Sequence, residues 1–264
     1  MVTSKRVEGY VVEQSDTSNS RPSLVVVMPA FNEAEGIADF IRELDVNLAR
    51  YRPHFVVIDD CSTDSMAQVL TGLRDSGSVN LHVLRNHQNQ GHGLSTMCAL
   101  SMGIHDGSDL VLSSDGDGQI TGSDARMLVD RLTEENALLV EGVRIGRNQS
   151  IYRALVTRVT KLLVFLRSGS MPKDANTPFR VYRAEVLESI LRDVHIGGLV
   201  PNLHISAHVR IRNLRLLEVP IKSIPRRGSD TLGSTWSKKG SVLPSRRFLK
   251  FCTEAIIDWR RRAQ

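Results

Sequence analysis

The chain has 264 residues, 41% of them hydrophobic and 24% charged, a balance that excludes a disordered or fibrous protein and fits one large globular domain, or one domain with an appendage. Lys plus Arg at 34 against Asp plus Glu at 29 leave a net charge of +5, which favours anionic partners such as phosphates, nucleic acid or an acidic membrane face. The three cysteines, at 61, 98 and 252, have neither an even count nor metal-ligand spacing, which argues against a disulfide framework and a zinc knuckle and fits a reducing, cytoplasmic setting.

No run approaches the roughly 20 apolar residues of a spanning helix, and the polar stretch from Thr3 to Glu8 leads into no signal-peptide core, so the chain is expected neither to cross a membrane nor to leave the cytoplasm. Residues 1–22 mix Ser, Asp, Asn and Gln around one short apolar patch and are expected to form a flexible tail or edge segment. Residues 23–242 are expected to be one domain, in two halves that meet near residue 142.

Apolar runs of buried-strand length stand at 24–28, 55–58, 81–84, 110–112 and 137–140. Between the first two, Ile37, Phe40, Ile41, Leu44 and Leu48 recur at helical spacing, as do Ala125, Leu128, Val129 and Leu132 before the fifth run. Leu94, Met97 and residues 99–102 supply a further helix. Strands and helices alternating in this way predict an α/β fold, a mainly parallel sheet covered by helices on both faces, with ligands at the carboxyl ends of the strands.

After residue 142 the rhythm changes. Residues 151–166 read as one basic amphipathic helix, 168–178 as a loop, 179–182 and 216–221 as added strands, and 199–209 as a helix between them. Residues 225–240 form a basic, Gly- and Ser-bearing loop of the length that closes over ligands. Residues 243–264 are expected to be a basic amphipathic helix, packed on the domain or resting on anionic lipid.

The sharpest local feature is Ser114-Asp115-Gly116-Asp117-Gly118-Gln119, directly after a predicted strand. Two carboxylates two residues apart, with glycines for a tight turn, can offer oxygen ligands to Mg2+ or Mn2+; the competing reading is an acidic turn that caps the next helix. An EF-hand is disfavoured because the twelfth loop position, counted from Asp115, is Arg126. Met28-Pro29-Ala30-Phe31-Asn32-Glu33 and Ile58-Asp59-Asp60-Cys61-Ser62-Thr63-Asp64 should open at the same sheet edge, where a carboxylate meets a base or ribose and helix N-termini attract phosphate. Asn32, Ser62 and Asp64 also read as helix caps. Dinucleotide glycines after the first strand and a Walker motif are both missing.

Together with Asn89-Gln90-Gly91-His92-Gly93 and Phe179-Arg180-Val181-Tyr182-Arg183, these segments resemble, in order and spacing, the inverting glycosyltransferases of family 2 with the GT-A fold, a Rossmann-like architecture. The nearest likeness is to the polyprenol-phosphate sugar transferases of the dolichol-phosphate mannose synthase type, over about residues 23–240. The resemblance implies a nucleotide-binding half to about residue 142 and an acceptor half after it. It implies that Pro29, Ala30, Phe31 and Glu33 line the pocket of a UDP- or GDP-linked sugar, that Asp60 contacts the base and that Arg227 adds to donor binding. Asp117, with Asp115 and Gln119, would hold the cation on the diphosphate. Arg144 and Arg153 would grip the phosphate of an anionic acceptor, as guanidinium forks do.

The family's Arg-Gly-Ser-Lys loop reads here as Arg226-Arg227-Gly228-Ser229-Asp230-Thr231, without the lysine. Relatives that use hydroxyl acceptors carry an acidic pair as general base, whereas residues 197–204 contain no carboxylate, and this favours an acceptor already ionised. His204, His195 and Asp174 are the remaining candidates for a base. The expected function is a metal-dependent inverting transfer to polyprenyl phosphate, with any membrane contact peripheral. A soluble acceptor in specialised-metabolite or polysaccharide assembly is the alternative, and a non-catalytic nucleotide-sugar scaffold the alternative of another class. Nucleic acid is not an expected partner, because clustered stacking aromatics are missing in a chain with 5% aromatic residues.

Overall fold

Residues 3–7, 10–14, 22–146, 151–194, 198–228 and 256–259 are described by the computed structural model. Where a tail or edge segment was expected, β1 (Thr3–Val7) and β2 (Tyr10–Gln14) pair antiparallel in a sheet of their own. The main sheet contains β3 (Leu24–Ala30), β4 (His54–Asp59), β5 (Leu81–Arg85), β6 (Leu110–Ser113), β7 (Leu139–Ile145), β8 (Arg180–Arg183) and β9 (Leu216–Lys222), in spatial order β5-β4-β3-β6-β8-β7-β9. Its pairings are parallel except around β8, which runs antiparallel to both β6 and β7.

The unbroken apolar run of β3 has a direct cause. Leu24, Val26 and Met28 face one layer, formed by α1 (Ile37–Leu48), α2 (Met66–Asp75) and α4 (Gly122–Glu134), while Val25 and Val27 face α3 (His92–His105) and α6 (Ala184–Asp193). A strand covered on both sides has no position for a polar side chain, and each aliphatic group it buries contributes about 1.5–3 kcal/mol. Helix α5 (Ile151–Ser168) packs on α7 (Pro201–Ile211), with Val164 of α5 fully buried beside Leu203 and Ala207.

Three expectations shift. The fifth strand starts at Leu139 rather than Ala137 and runs on to Ile145, because its far end lies at the sheet rim, where Gly142 and Arg144 replace apolar residues. The helix expected over 199–209 is α7, two residues later, with Pro201 at its first turn. Helices α2 and α6 were not anticipated, although α6 buries Val186, Leu187, Ile190 and Leu191 on one face. Of the expected C-terminal helix, residues 256–259 are helical; the rest of 243–264 and the loop from 229 to 240 lie outside the described residues.

Candidate active site at the sheet rim

The first two loops at the carboxyl edge are locked to each other. Ser62 Oγ accepts the Asn32 amide at 3.0 Å, and Asn32 Oδ1 accepts that of Thr63 at 2.8 Å. Asp64 accepts the Ala34 amide on one oxygen and the Met66 amide, at the start of α2, on the other, each at 3.0 Å. These short polar side chains cross-link the loops rather than cap helices: the caps of α1 and α2 are Gly36 and Ser65, and only Asp64 reaches the first amide of a helix. Asn32 takes a left-handed backbone conformation (φ 56°), which asparagine tolerates better than most residues.

Asp60, expected at the base, is buried and holds the next segment. Its Oδ1 accepts the Gln90 amide and the Asn86 side-chain amide, both at 2.8 Å, and its Oδ2 accepts the Gly91 amide at 2.9 Å. Asn89 returns a bond to the Asp60 carbonyl at 3.1 Å. This carboxylate thus shapes the loop before α3.

The acidic loop runs directly beside the first rim loop. The Ser114 amide donates to the Val27 carbonyl at 3.1 Å and the Gly116 amide to the Pro29 carbonyl at 3.0 Å. A Cβ on Gly116 would stand 2.7 Å from Ala30 Cβ, so glycine is what permits this approach. The helix-cap reading of the acids does not hold: α4 is capped by Thr121, whose side chain accepts the Asp124 amide. Asp117 accepts its bond from the Gln119 amide at 3.3 Å. Burial and the adjacent Asp115 charge push its carboxyl up to about 6, against the pull of that amide, Arg226 and His92. Glu33 is pushed up to about 7, by burial first and also by Asp117 and Asp115, although Arg226 opposes the shift. Three acids from two rim loops therefore act on one another across one cleft.

Residues 224–228 cross this cleft. Arg226 pairs with both oxygens of Glu33, at 2.5 and 3.0 Å. Arg227, expected at the donor, sits on the loop from behind: its amide donates to the Asp117 carbonyl at 3.0 Å and its Nε to the Gly118 carbonyl at 3.2 Å. Its guanidinium pairs with Glu43 at 2.6 Å and lies 5.1 Å over the Phe40 ring. Arg226 and His92, whose Nε2 is 3.7 Å from Asp115, were not singled out from the sequence. Their signal was their place inside the two quoted motifs.

In the second half, Arg144 lies at the rim end of β7 and is engaged by Asp174 through Nε at 2.7 Å and a second nitrogen at 3.0 Å; that nitrogen also donates to the Asn176 carbonyl at 2.9 Å. Asp174 is thereby the anchor of an arginine and ill suited to act as a base. Arg153 falls in the first turn of α5, and its side chain lies outside the described residues. His204 is buried, 3.1 Å from Asp258 and 5.0 Å from the Trp259 ring, and Asp258 also accepts the Leu199 amide at 3.2 Å. His195 is outside the described residues.

Two carboxylates within one loop fit a hard divalent cation, since Asp117 accepts only a long bond and Asp115 stands against it electrostatically. Among the described residues no group of three or more His, Cys, Asp or Glu could hold a metal ion. Also among the described residues, no helix is long and apolar enough to cross a membrane.

A family model described as glycosyl transferase family 2 matches residues 25–191. An undecaprenyl-phosphate 4-deoxy-4-formamido-L-arabinose transferase of Klebsiella pneumoniae is 25% identical over 208 residues, which cover 78% of this chain and 61% of that protein. Glucosyl-3-phosphoglycerate synthase from Mycobacterium tuberculosis, solved with phosphoglyceric acid, superposes with a TM-score of 0.63 at 17% identity, covering 92% of this chain and 80% of that one. A mannosyltransferase from Pyrobaculum calidifontis, solved with GDP-Man and Mn2+, gives 0.52 at 19% identity, covering 79% and 59%. The sheet and its helices are the GT-A arrangement expected from the sequence.

Proposed function

The chain belongs to glycosyl transferase family 2, and from that premise we propose a metal-dependent, inverting transferase that moves a sugar from a UDP- or GDP-linked donor to an anionic acceptor, polyprenyl phosphate before others. The observation that carries this reading is the Gly116–Pro29 backbone bond, which sets the Asp115 and Asp117 loop beside the first nucleotide-facing rim loop. Pro29, Ala30 and Phe31 form that rim, and Asp60 fixes the 86–91 segment as its neighbouring wall. Mg2+ or Mn2+ would be held by Asp115, Asp117 and Gln119 together with the donor diphosphate, and when bound it supplies positive charge to the departing diphosphate. Arg226, which pairs with Glu33 and acts on Asp117 electrostatically, would add positive charge on that side. The acceptor phosphate, ionised near neutral pH, attacks without a base, in keeping with the carboxylate-free stretch at 198–204. Arg153 grips it, and Arg144 contributes from its mooring on Asp174.

The lipid acceptor draws support from α5. Leu155, Val159, Leu162 and Leu166 stand at helical spacing on one face and are 44–72% exposed, opposite the buried Val164. Such an exposed apolar stripe suits contact with a lipid tail, although Arg153, at the helical spacing of Val164, belongs to the other face of the helix. A soluble phosphorylated acceptor is the second reading, favoured by the fold match to the phosphoglycerate-bound synthase over most of both chains. The test is sugar-nucleotide turnover with Mn2+, comparing undecaprenyl phosphate in detergent with 3-phosphoglycerate. Transfer to the former supports the first reading and transfer to the latter the second. Donor binding without transfer to any acceptor leaves a scaffold.

A further inference from the structure

The buried charges of the second half converge on one helix. Arg180, fully buried at the start of β8, donates from Nε to Glu141 at 2.9 Å, and from its other two nitrogens to the side chain and the carbonyl of Asn202, at 2.7 and 3.1 Å. Asn202 is in the first turn of α7. Glu141 accepts on its other oxygen from Arg210, in the last turn of the same helix, at 2.9 Å; Arg210 also reaches Glu218 of β9 at 2.7 Å. Both ends of α7 are thus tied to the sheet through Glu141.

The segment in front of α7 packs against the start of α3. Gly93, the second residue of α3, lies so close to it that a Cβ would stand 2.5 Å from the Gly198 carbonyl oxygen and 2.7 Å from that of Leu199. The preceding residue, His92, is the one 3.7 Å from Asp115. Residues 198 and 199 therefore form a wall against the start of α3, next to the histidine that approaches the acidic loop.

We propose that Arg180 and Asn202 are a positioning pair that sets this wall, so that the buried arginine governs acceptor placement without touching substrate. A fold that needed only stability would be served as well by an apolar cluster, because a buried ion pair gains little over well-packed hydrophobic residues. The geometry favours placement: a guanidinium with two bonds to one residue fixes both position and orientation of the turn. The inference rests on reading the cleft as a transferase site, but its structural half is measurable without turnover.

The test compares wild type with Asn202→Ala, Asn202→Asp and Arg180→Lys. In Asn202→Ala, backbone amides at 198–204 should exchange with deuterium faster by about 10-fold, with 24–33 and 113–119 unchanged, and KM for undecaprenyl phosphate should rise by about 10-fold while donor KM stays within about 2-fold. Asn202→Asp, which keeps an oxygen for Arg180, should restore most of both. If Asn202→Ala fails to fold, Arg180→Lys, which keeps the charge for Glu141 but not the fork, should show the same local exchange. Wild-type exchange at 198–204 in these variants, or donor and acceptor KM rising together, overturns the proposal. If wild type transfers sugar to no acceptor, the functional reading fails and the exchange pattern alone decides this one.

Discussion

The two halves of the sheet rim are built with charge in opposite ways. In the first half, up to about residue 142, loops are joined by amides and short polar side chains such as Asn32, Ser62 and Asp60, and the acids Glu33, Asp115 and Asp117 crowd one another. In the second half, the charges are committed to architecture: Arg144 to Asp174, Arg180 to Glu141 and Asn202, Arg210 to Glu141 and Glu218. A surplus of negative charge suits a site completed by a cation. A balanced, buried network suits a wall that must hold its shape while an anion binds.

This contrast can be broken at several points. Arg180→Ala should be the most damaging, lowering stability by about 3–5 kcal/mol in urea denaturation, because Glu141 is left buried without one of its partners. Asn32→Ala should cost about 1–3 kcal/mol by the same measurement, since it strands the Thr63 amide, and it should also weaken donor binding by loosening two rim loops together. Asp174→Asn should leave donor affinity unchanged and raise acceptor KM, through an arginine that loses its charged anchor; equal loss on both sides would erase the division into halves. The smallest effect is a pH dependence.

Its sign follows from the raised carboxyls. Glu33 moves from 4.5 to about 7 and Asp117 from 3.8 to about 6, so the folded chain holds these protons more tightly than the unfolded one. Their contribution to stability is full below pH 4 and is lost as pH rises to about 7. Thermal denaturation of the cation-free protein should show this fall, and Asp117→Asn should flatten its part.

The first half was the more legible in sequence because its determinants are local. A strand covered on both faces writes an apolar run, and Asp-Gly-Asp-Gly and Pro-Ala-Phe-Asn-Glu mark the turns that follow. The family resemblance then joined loops that spacing alone could not join. What stayed hidden depends on pairing across the chain: Arg226 with Glu33 spans 193 residues, and Arg180 with Asn202 crosses from β8 to α7. An arginine destined for the interior reads, in one sequence, like an arginine for a ligand. The partner of Arg144 was hidden in the same way, since nothing near it in the chain announces Asp174, 30 residues on.

The central claim is that Asp115 and Asp117 hold a divalent cation against a donor diphosphate. Calorimetric titration of UDP- and GDP-sugars, with and without Mn2+, into wild type and Asp117→Ala tests it most directly. The account predicts that Mn2+ strengthens binding of one sugar nucleotide to wild type by about 100-fold and does nothing for the variant. Equal, Mn2+-dependent affinity in both proteins would contradict it.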